Sequence, residues 1–574
     1  MVKIFLNNQP LEVTPKTTIL EAARMYGIDI PTLCHYPDLK INSDCRICSV
    51  EVEGSKQLLT ACSTPVKEGM RIRTNSNKVI SARRTITELI LSNHDTNCTN
   101  CSRNLRCELQ TLANTLGIDE HRFPKILKPQ PVDDKNPAIY RNPNRCIKCG
   151  RCVDVCKDVE GTHVLETMNR SHEVTMSPKY GHYLSSDDCT FCGQCASVCP
   201  VAAITEKDDT VRVFDAINDP TKHVIVQVAP SIRVAIGEEF GQPAGGAWTG
   251  QLVAALRRLG FDKVFDTDFT ADLTIIEEGH ELLHRVTNGG VLPMMTSCCP
   301  GWVNYAEQQY PEMLDHLSTC KSPQQMFGAL AKTYYAKTHN IDPKDLYVVS
   351  MMPCTAKKFE AAREEMRVHE DAQDVDAVIT TRELGKMIRQ VGLNFNDLPD
   401  EDFDTPFGVT TGAAAIFGAT GGVMEAALRT VYEVVNQEPL ASLDFHDVRG
   451  FEGIKEASVN LGGQEVKVAV AHTLKHAKTL IEEVKAGQSP YAFIEVMTCP
   501  GGCIGGGGQP YGTTNKKRVE RIESTYRVDA AMPLRQSHKN PAITQLYETF
   551  LKEPLGETSH NLLHTHYTSR KKAV

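Results

Sequence analysis

The sequence predicts a multidomain protein in which small cysteine-rich modules precede one large α/β domain. Three observations carry that reading. The chain has 574 residues, too many for a single core. Of its 21 cysteines, 15 fall before residue 200, most of them at two-residue spacings. From about residue 210 the cysteines thin out, and short apolar runs alternate with amphipathic helical segments, the signature of α/β architecture.

The formal net charge is −9, from 62 basic and 71 acidic residues, and no long basic run occurs. That balance argues against nucleic acid and anionic membrane as partners. No stretch of 18 apolar residues is present, and the opening Met1-Val-Lys-Ile-Phe-Leu reads as a strand rather than an export signal. A cytoplasmic protein is therefore expected. There, tightly spaced cysteines are metal ligands rather than a disulfide framework.

In residues 1–78 the runs KIFLNN, LEVT and SVEVEG read as strands around one helix, Thr18 to Tyr26. Cys34, Cys45, Cys48 and Cys62 lie in the loops, spaced C-x10-C-x2-C-x13-C. This follows the logic of four thiolates around a 2Fe–2S cluster, looser than the plant-type arrangement, with a four-cysteine zinc site as the alternative. Residues 79–126 are helical in pattern, and ITELILSNH leads into H-x3-C-x2-C-x5-C: His94, Cys98, Cys101 and Cys107. Zinc again fits these donors; on a 4Fe–4S cluster, one imidazole in place of a thiolate tunes the potential.

Residues 127–209 contain CIKCGRCVDVC and CTFCGQCASVCP, the bacterial two-cluster run repeated, with Lys157 where proline is usual. Since the fourth cysteine of each run serves the other cluster, Cys146, Cys149, Cys152 and Cys199 are expected on one 4Fe–4S cluster. Cys189, Cys192, Cys195 and Cys156 are expected on the second.

In residues 210–574 candidate strands are His223 to Val228, Val291 to Met295, Leu346 to Ser350, Val375 to Ile379, Val466 to Ala471 and Tyr491 to Met497. Candidate helices include Gly250 to Leu259, Ala271 to Val286, Thr381 to Val391, Val423 to Val435 and Thr473 to Lys485. Three strands run into TSCCPGW, MMPCTAKKFE and TCPGGC. Sites in α/β sheets form at the carboxyl ends of strands, so Cys299, Cys354, Cys499 and Cys503 are expected to converge. Gly501, Gly502 and Gly505 to Gly508 leave the backbone free to turn sharply and nearly touch a metal cluster, a flexible loop being the alternative.

The segments TSCCPGW, MPCTAKKFE and EVMTCPGGCIGGGGQP resemble the three signature motifs of the iron-only (FeFe) hydrogenases. With the upstream cluster order, the chain is similar to their long monomeric clostridial form. The resemblance implies four parts: a β-grasp ferredoxin-like domain (1–78), a small helical domain with a one-histidine, three-cysteine cluster (79–126), a two-4Fe–4S ferredoxin-like domain (127–209) and a catalytic α/β domain (210–574). It implies one 2Fe–2S cluster, three accessory 4Fe–4S clusters and an H-cluster. The H-cluster is a cubane on Cys299, Cys354, Cys499 and Cys503, bridged by Cys503 to a two-iron unit carrying CO, cyanide and azadithiolate. Ferredoxin as electron partner, hydrogen and protons as substrates and dedicated maturation proteins come with it.

The resemblance also assigns a proton relay of Cys298, Glu278, Ser318 and Glu281, ending at Arg285. Glu278, Glu281 and Arg285 have helical i, i+3, i+7 spacing, which by itself reads as a solvated salt-bridge face. Around the two-iron unit it places Lys357, Ala229, Pro230 and Ser231 against the cyanides, Met352, Phe417 and Met497 about the distal iron, and Gln324 toward a CO. Lys357 and Glu360 alone read as a helix-surface ion pair, and Met352 and Met497 as core. Thr498 departs from the alanine more usual in the motif. Cys320 is left as a buried free thiol beside Ser318, and the tail with His560, His564 and His566 reads as a polar terminal segment. Two other classes remain as alternatives: a non-catalytic iron–sulfur assembly or sensory relative, and an electron-transfer subunit of respiratory complex I type.

Overall fold

The computed structural model describes every residue except 120, 121, 182, 186, 187 and 572–574. At the amino end, β1 (Val2–Leu6), β2 (Gln9–Val13), β3 (Ser49–Val52), β4 (Leu59–Thr60) and β5 (Arg71–Arg73) form one sheet ordered β2-β1-β5-β3-β4. The β1–β5 pair is parallel and its neighbours antiparallel. Alternating burial on β2, with Leu11 and Val13 inward, seats the helix Ile19–Met25 on one face. That helix starts at Thr18, whose side chain and Glu21 form a reciprocal capping box.

The helix Asn77–Ser92 leads on to two small two-stranded sheets, β6 (Ile139–Arg141) with β9 (Ile204–Glu206), and β7 (Leu165–Met168) with β8 (Thr175–Pro178). The repeated cysteine runs repeat their geometry. Gly150 and Gly193 sit at φ +79° and +75°, each opening a one-turn helix, Arg151–Asp154 and Gln194–Ser197. Only glycine takes that left-handed turn without cost.

The large domain contains two four-stranded sheets rather than one. The first is fully parallel: β10 (His223–Val228), β11 (Lys263–Asp266), β13 (Leu346–Met352) and β14 (Ala377–Thr380), ordered β11-β10-β13-β14. The second joins β12 (Met294–Met295), β15 (Ile454–Leu461), β16 (Gln464–His472) and β17 (Phe493–Met497) in the order β12-β17-β16-β15. Continuous apolar runs such as HVIVQV and LYVVSMM are buried on both faces, as parallel strands covered by helices require.

The expected strand over 291–295 shrinks to two residues. Val291 and Leu292 are exposed, and Pro293 has no N–H to give to a ladder. Sequence reading missed β11, a short piece just after a helix, and β15, an edge strand whose exposed face is polar. The tail after Glu553 is also not a loose terminal segment. The helix Glu557–Leu563 packs Leu563 into the core and is followed by buried His564. Among the described residues no helix is long and apolar enough to cross a membrane.

Candidate active site and cluster ligands

All 21 cysteines are free thiols. In the amino-terminal sheet Cys48 Sγ lies 3.3 Å from Cys62 Sγ, and Cys34 and Cys45 form the second close pair, each thiol perturbing its partner. His94 is buried, its Nδ1 has no hydrogen-bond partner among the described residues, and burial lowers its imidazole to about 4. A buried, neutral imidazole with a free Nδ1 and its ring also bonded to the Arg145 backbone is oriented as a ligand would be. Cys98 and Cys107 are both raised by burial and then by charge on Cys101 or its neighbours, so the three thiols share one neighbourhood.

The two ferredoxin runs are packed against each other, with cysteines of each affecting those of the other. Burial raises Cys146, Cys149 and Cys152, and each also feels Cys199 from the other run. Cys189 and Cys195 likewise feel Cys156. Cys192 responds to Cys499, which places the second group against the carboxyl-terminal site. The docking is tight and polar. Thr355 Oγ1 donates to Phe191 O at 2.6 Å, Gln194 Nε2 to Gly505 O at 2.8 Å, and Asn304 Nδ2 to Cys189 O at 3.0 Å.

This docking revises the role expected for Gly505 to Gly508. A Cβ on Gly507 would fall 2.0 Å from Cys192 O, and one on Gly506 2.3 Å from Pro353 O. The glycines are there so that backbone can meet backbone of the ferredoxin-like part and of the loop after β13. Gly501 and Gly502, at φ +78° and +87°, supply the turn between Cys499 and Cys503.

Cys299, Cys354, Cys499 and Cys503 do converge, from both sheets. Cys354 follows β13 of the first, whereas Cys299, Cys499 and Cys503 follow β12 and β17 of the second. Burial pushes Cys354, Cys499 and Cys503 up, and each is raised further by charge on Cys299. Thiols raised by burial and by one another's charge in a dry site suit a cationic cluster that would neutralise them. β17 itself is held by Glu495, whose buried carboxylate accepts from Gly421 and Met424 N–H at 2.7 Å each, at the start of the helix Gly422–Asn436.

Beside them lies an apolar cavity lined by Cys298, Cys354 and Cys503 together with all eight pocket residues that the resemblance implies: Ala229, Pro230, Ser231, Gln324, Met352, Lys357, Phe417 and Met497. Ser231 Oγ and Gln324 Oε1 are buried there without partners among the described residues. Unpaired polar atoms amid apolar walls fit a bound group bearing small polar ligands. The Lys357–Glu360 pair is not a surface ion pair. It is buried at 2.8 Å, and Lys357 Nζ also donates to Cys298 O at 3.1 Å. Burial opposes the Lys357 charge, yet Glu360 keeps it above its usual range.

Glu278, Glu281 and Arg285 lie on the helix Thr267–Asn288, and the two glutamates are buried rather than solvated. Ser318 Oγ donates to Glu281 Oε2 at 2.9 Å and lies near enough to Glu278 to favour its ionised form. Arg285 closes on Glu281 Oε1 at 2.6 Å at the protein surface. Glu278 is pushed up to about 8 by burial and then by Glu281. The Cys298 thiol is pushed well up by burial and next by Glu278; no direct hydrogen bond joins those two among the described residues. Cys320, unplaced by the motifs, is buried between Glu281 Oε2 (3.8 Å) and His564 Nδ1 (4.0 Å). His564 is in turn held by Glu277 at 3.1 Å, whereas His560 and His566 are exposed.

Comparison with known proteins finds matches in every part of the chain. Residues 1–77 match a 2Fe-2S iron-sulfur cluster binding domain, 83–122 the NADH-ubiquinone oxidoreductase-G iron-sulfur binding region, and 145–203 a 4Fe-4S dicluster domain. Residues 222–507 match the iron only hydrogenase large subunit, C-terminal domain, and 515–570 the iron hydrogenase small subunit. The NADP-reducing hydrogenase subunit HndD of Solidesulfovibrio fructosivorans is 49% identical over 100% of both chains. Iron hydrogenase 1 of Clostridium pasteurianum is 41% identical over 99% of this chain and 100% of its own. A solved variant of the [FeFe]-hydrogenase HydA1 from Chlamydomonas reinhardtii superposes with TM-score 0.59 at 44% identity, covering 64% of this chain and 100% of that one. The chain belongs to the iron-only hydrogenases and is an enzyme of that family, with iron–sulfur cofactors in the parts that precede its catalytic domain.

Proposed function

We propose that this protein reversibly reduces protons to hydrogen with electrons from reduced ferredoxin, passed through four accessory clusters to an H-cluster. The observation that carries the reading is the single cavity where motif cysteines from two sheets, the relay thiol and all eight expected pocket residues meet. The division at 1–78, 79–126, 127–209 and 210–574 belongs to this proposal, with a β-grasp fold for the first part. The mixed five-stranded order and the matched segments support both.

The ligand sets belong to the same proposal: Cys34, Cys45, Cys48 and Cys62 for a 2Fe–2S cluster; His94, Cys98, Cys101 and Cys107 for a 4Fe–4S cluster; and the two crossed sets of the ferredoxin-like part. Cys299, Cys354, Cys499 and Cys503 would hold the H-cluster, Cys503 serving both its cubane and its two-iron part. Once bound, that six-iron group, with its CO, cyanide and azadithiolate ligands, supplies an open iron and the electrons for joining two protons.

The chain's own residues do the rest. Apolar Met352, Phe417 and Met497 exclude water, so charge at Lys357 acts undiluted. Arg285 holds Glu281 in place at the outer end of the line, and Glu281 passes protons through the Ser318 hydroxyl to Glu278. With its carboxyl near 8, Glu278 both holds and releases a proton around neutral pH. Cys298, at the cavity wall, makes the last transfer. An assembly or sensory relative has no use for this intact line of groups.

A second reading concerns the electron partner. The relative at 49% identity is named a subunit of an NADP-reducing hydrogenase. Electrons exchanged with a partner subunit, rather than by a ferredoxin-coupled monomer, therefore form the alternative. A cytoplasmic location is part of the proposal, supported by 21 free thiols that need reducing surroundings. Infrared spectroscopy of protein matured without oxygen tests the core: CO and cyanide stretching bands are expected, and their absence after correct maturation would put the assembly-protein reading ahead.

A further inference from the structure

Thr498, the motif residue without a sequence rationale, has one partner. It follows β17, is 2% exposed, and its Oγ1 lies 3.2 Å from Cys299 Sγ. Its backbone N–H donates to the same sulfur at 3.4 Å. Oγ1 has no other hydrogen-bond partner among the described residues.

Gly301 makes room for this contact. A Cβ there would stand 2.8 Å from Thr498 Oγ1. Any larger residue at 301 would therefore displace the hydroxyl from the sulfur.

Facing a thiol, a hydroxyl can accept. Facing a metal-bound thiolate, which has lost its proton, it can only donate. We propose that Thr498 is a positioning residue that tunes the active-site cubane: its hydroxyl donates to the Cys299 thiolate and raises the cubane's reduction potential. The inference rests on the cubane assignment made under the proposed function. The physical reason is charge. Reduction adds an electron that is shared with the sulfurs, and a donor to sulfur stabilises that more negative state more than the oxidised one. With the usual alanine, Cys299 keeps only the backbone donor.

The test is a redox titration of the full matured protein, read by infrared and electron paramagnetic resonance, on wild type and on Thr498→Val, Thr498→Ala, Thr498→Ser and Gly301→Ala. Both hydroxyl deletions should lower the reduced-to-oxidised ratio of the cubane about three- to tenfold at the wild-type midpoint. Tenfold is a 59 mV move to more negative potential for one electron. Thr498→Ser should restore the wild-type midpoint, Gly301→Ala should reproduce the deletion, and the accessory clusters should not move. Should the valine variant fail to take up cluster, the smaller alanine gives the same comparison. A wild-type midpoint in Thr498→Ala with a complete cluster overturns the inference, as does a Thr498→Ser that shifts as far as alanine. A wild-type protein with no H-cluster bands overturns the functional reading instead.

Discussion

The ferredoxin-like part and the catalytic domain solve one problem, gathering four thiols, by opposite means. In the former, Cys146, Cys149 and Cys152 come from one turn of chain, with the left-handed Gly150 between the last two. Only Cys199 must be brought from elsewhere. In the latter, Cys299 and Cys503 are 204 residues apart (503 minus 299), and Cys354 arrives on a different sheet. A local set is a property of a short loop. A dispersed set is a property of the whole packed domain, so its loss should be felt differently.

The sharpest way to break that comparison is to remove one ligand of the dispersed set. Cys499→Ala should abolish the active-site cluster and turnover while the accessory clusters keep their spectra, because their ligands are fixed by their own loops. Loss of both would mean that the two regions fold as one unit, against the contrast. Cys298→Ser comes next. It should retain the cluster bands but lose turnover by about 10³-fold, the scale of a proton transfer group. Near-normal hydrogen evolution would remove Cys298 from the relay.

Glu278→Gln should cost about 10²-fold in turnover on the same scale, and it carries a pH signature. Burial raises this carboxyl to about 8, so the folded protein binds a proton that the unfolded chain releases. Its contribution is therefore full below the ordinary carboxyl range and is lost as pH rises toward 8. Denaturation curves across that window should show stability falling with pH in the wild type and falling less in Glu278→Gln. Identical slopes would mean that Glu278 is not the group titrating there.

The same contrast explains what could be read from sequence. The cysteine runs were legible because their chemistry is local, and TSCCPGW, MPCTAKKFE and TCPGGC because each motif carries several residues in a fixed order. The division into two sheets was not legible, since periodicity shows that a strand is buried and not which sheet it joins. Burial of Glu278 and Glu281 was hidden for a related reason. Charged residues at helical spacing look solvated until another segment covers them, and here that segment includes Ser318 to Cys320 and the carboxyl-terminal His564. Cys320 thus acquired neighbours that no local pattern could name. The roles of Gly505 to Gly508 and of Thr498 likewise depend on partners, Cys192, Pro353 and Cys299, far away in the chain.

The smallest effect should come from a ligand at the far end of the local region. His94 is buried, neutral and unpartnered at Nδ1, and its replacement by Cys keeps a donor at that position while adding a negative charge to the cluster. The cluster should still form, and its potential should move to more negative values because each reduction adds charge to an already more anionic group. Turnover with a strong artificial donor should stay near wild type, since the cavity about Cys298 and Lys357 is untouched. Electron paramagnetic resonance during a redox titration reads the shift, and infrared bands of the H-cluster serve as the internal control. An unshifted accessory cluster would show that His94 is a core histidine and that some other group completes the set. A shift of the infrared bands with it would show that the two regions are electrically coupled more closely than their separate ligand loops imply.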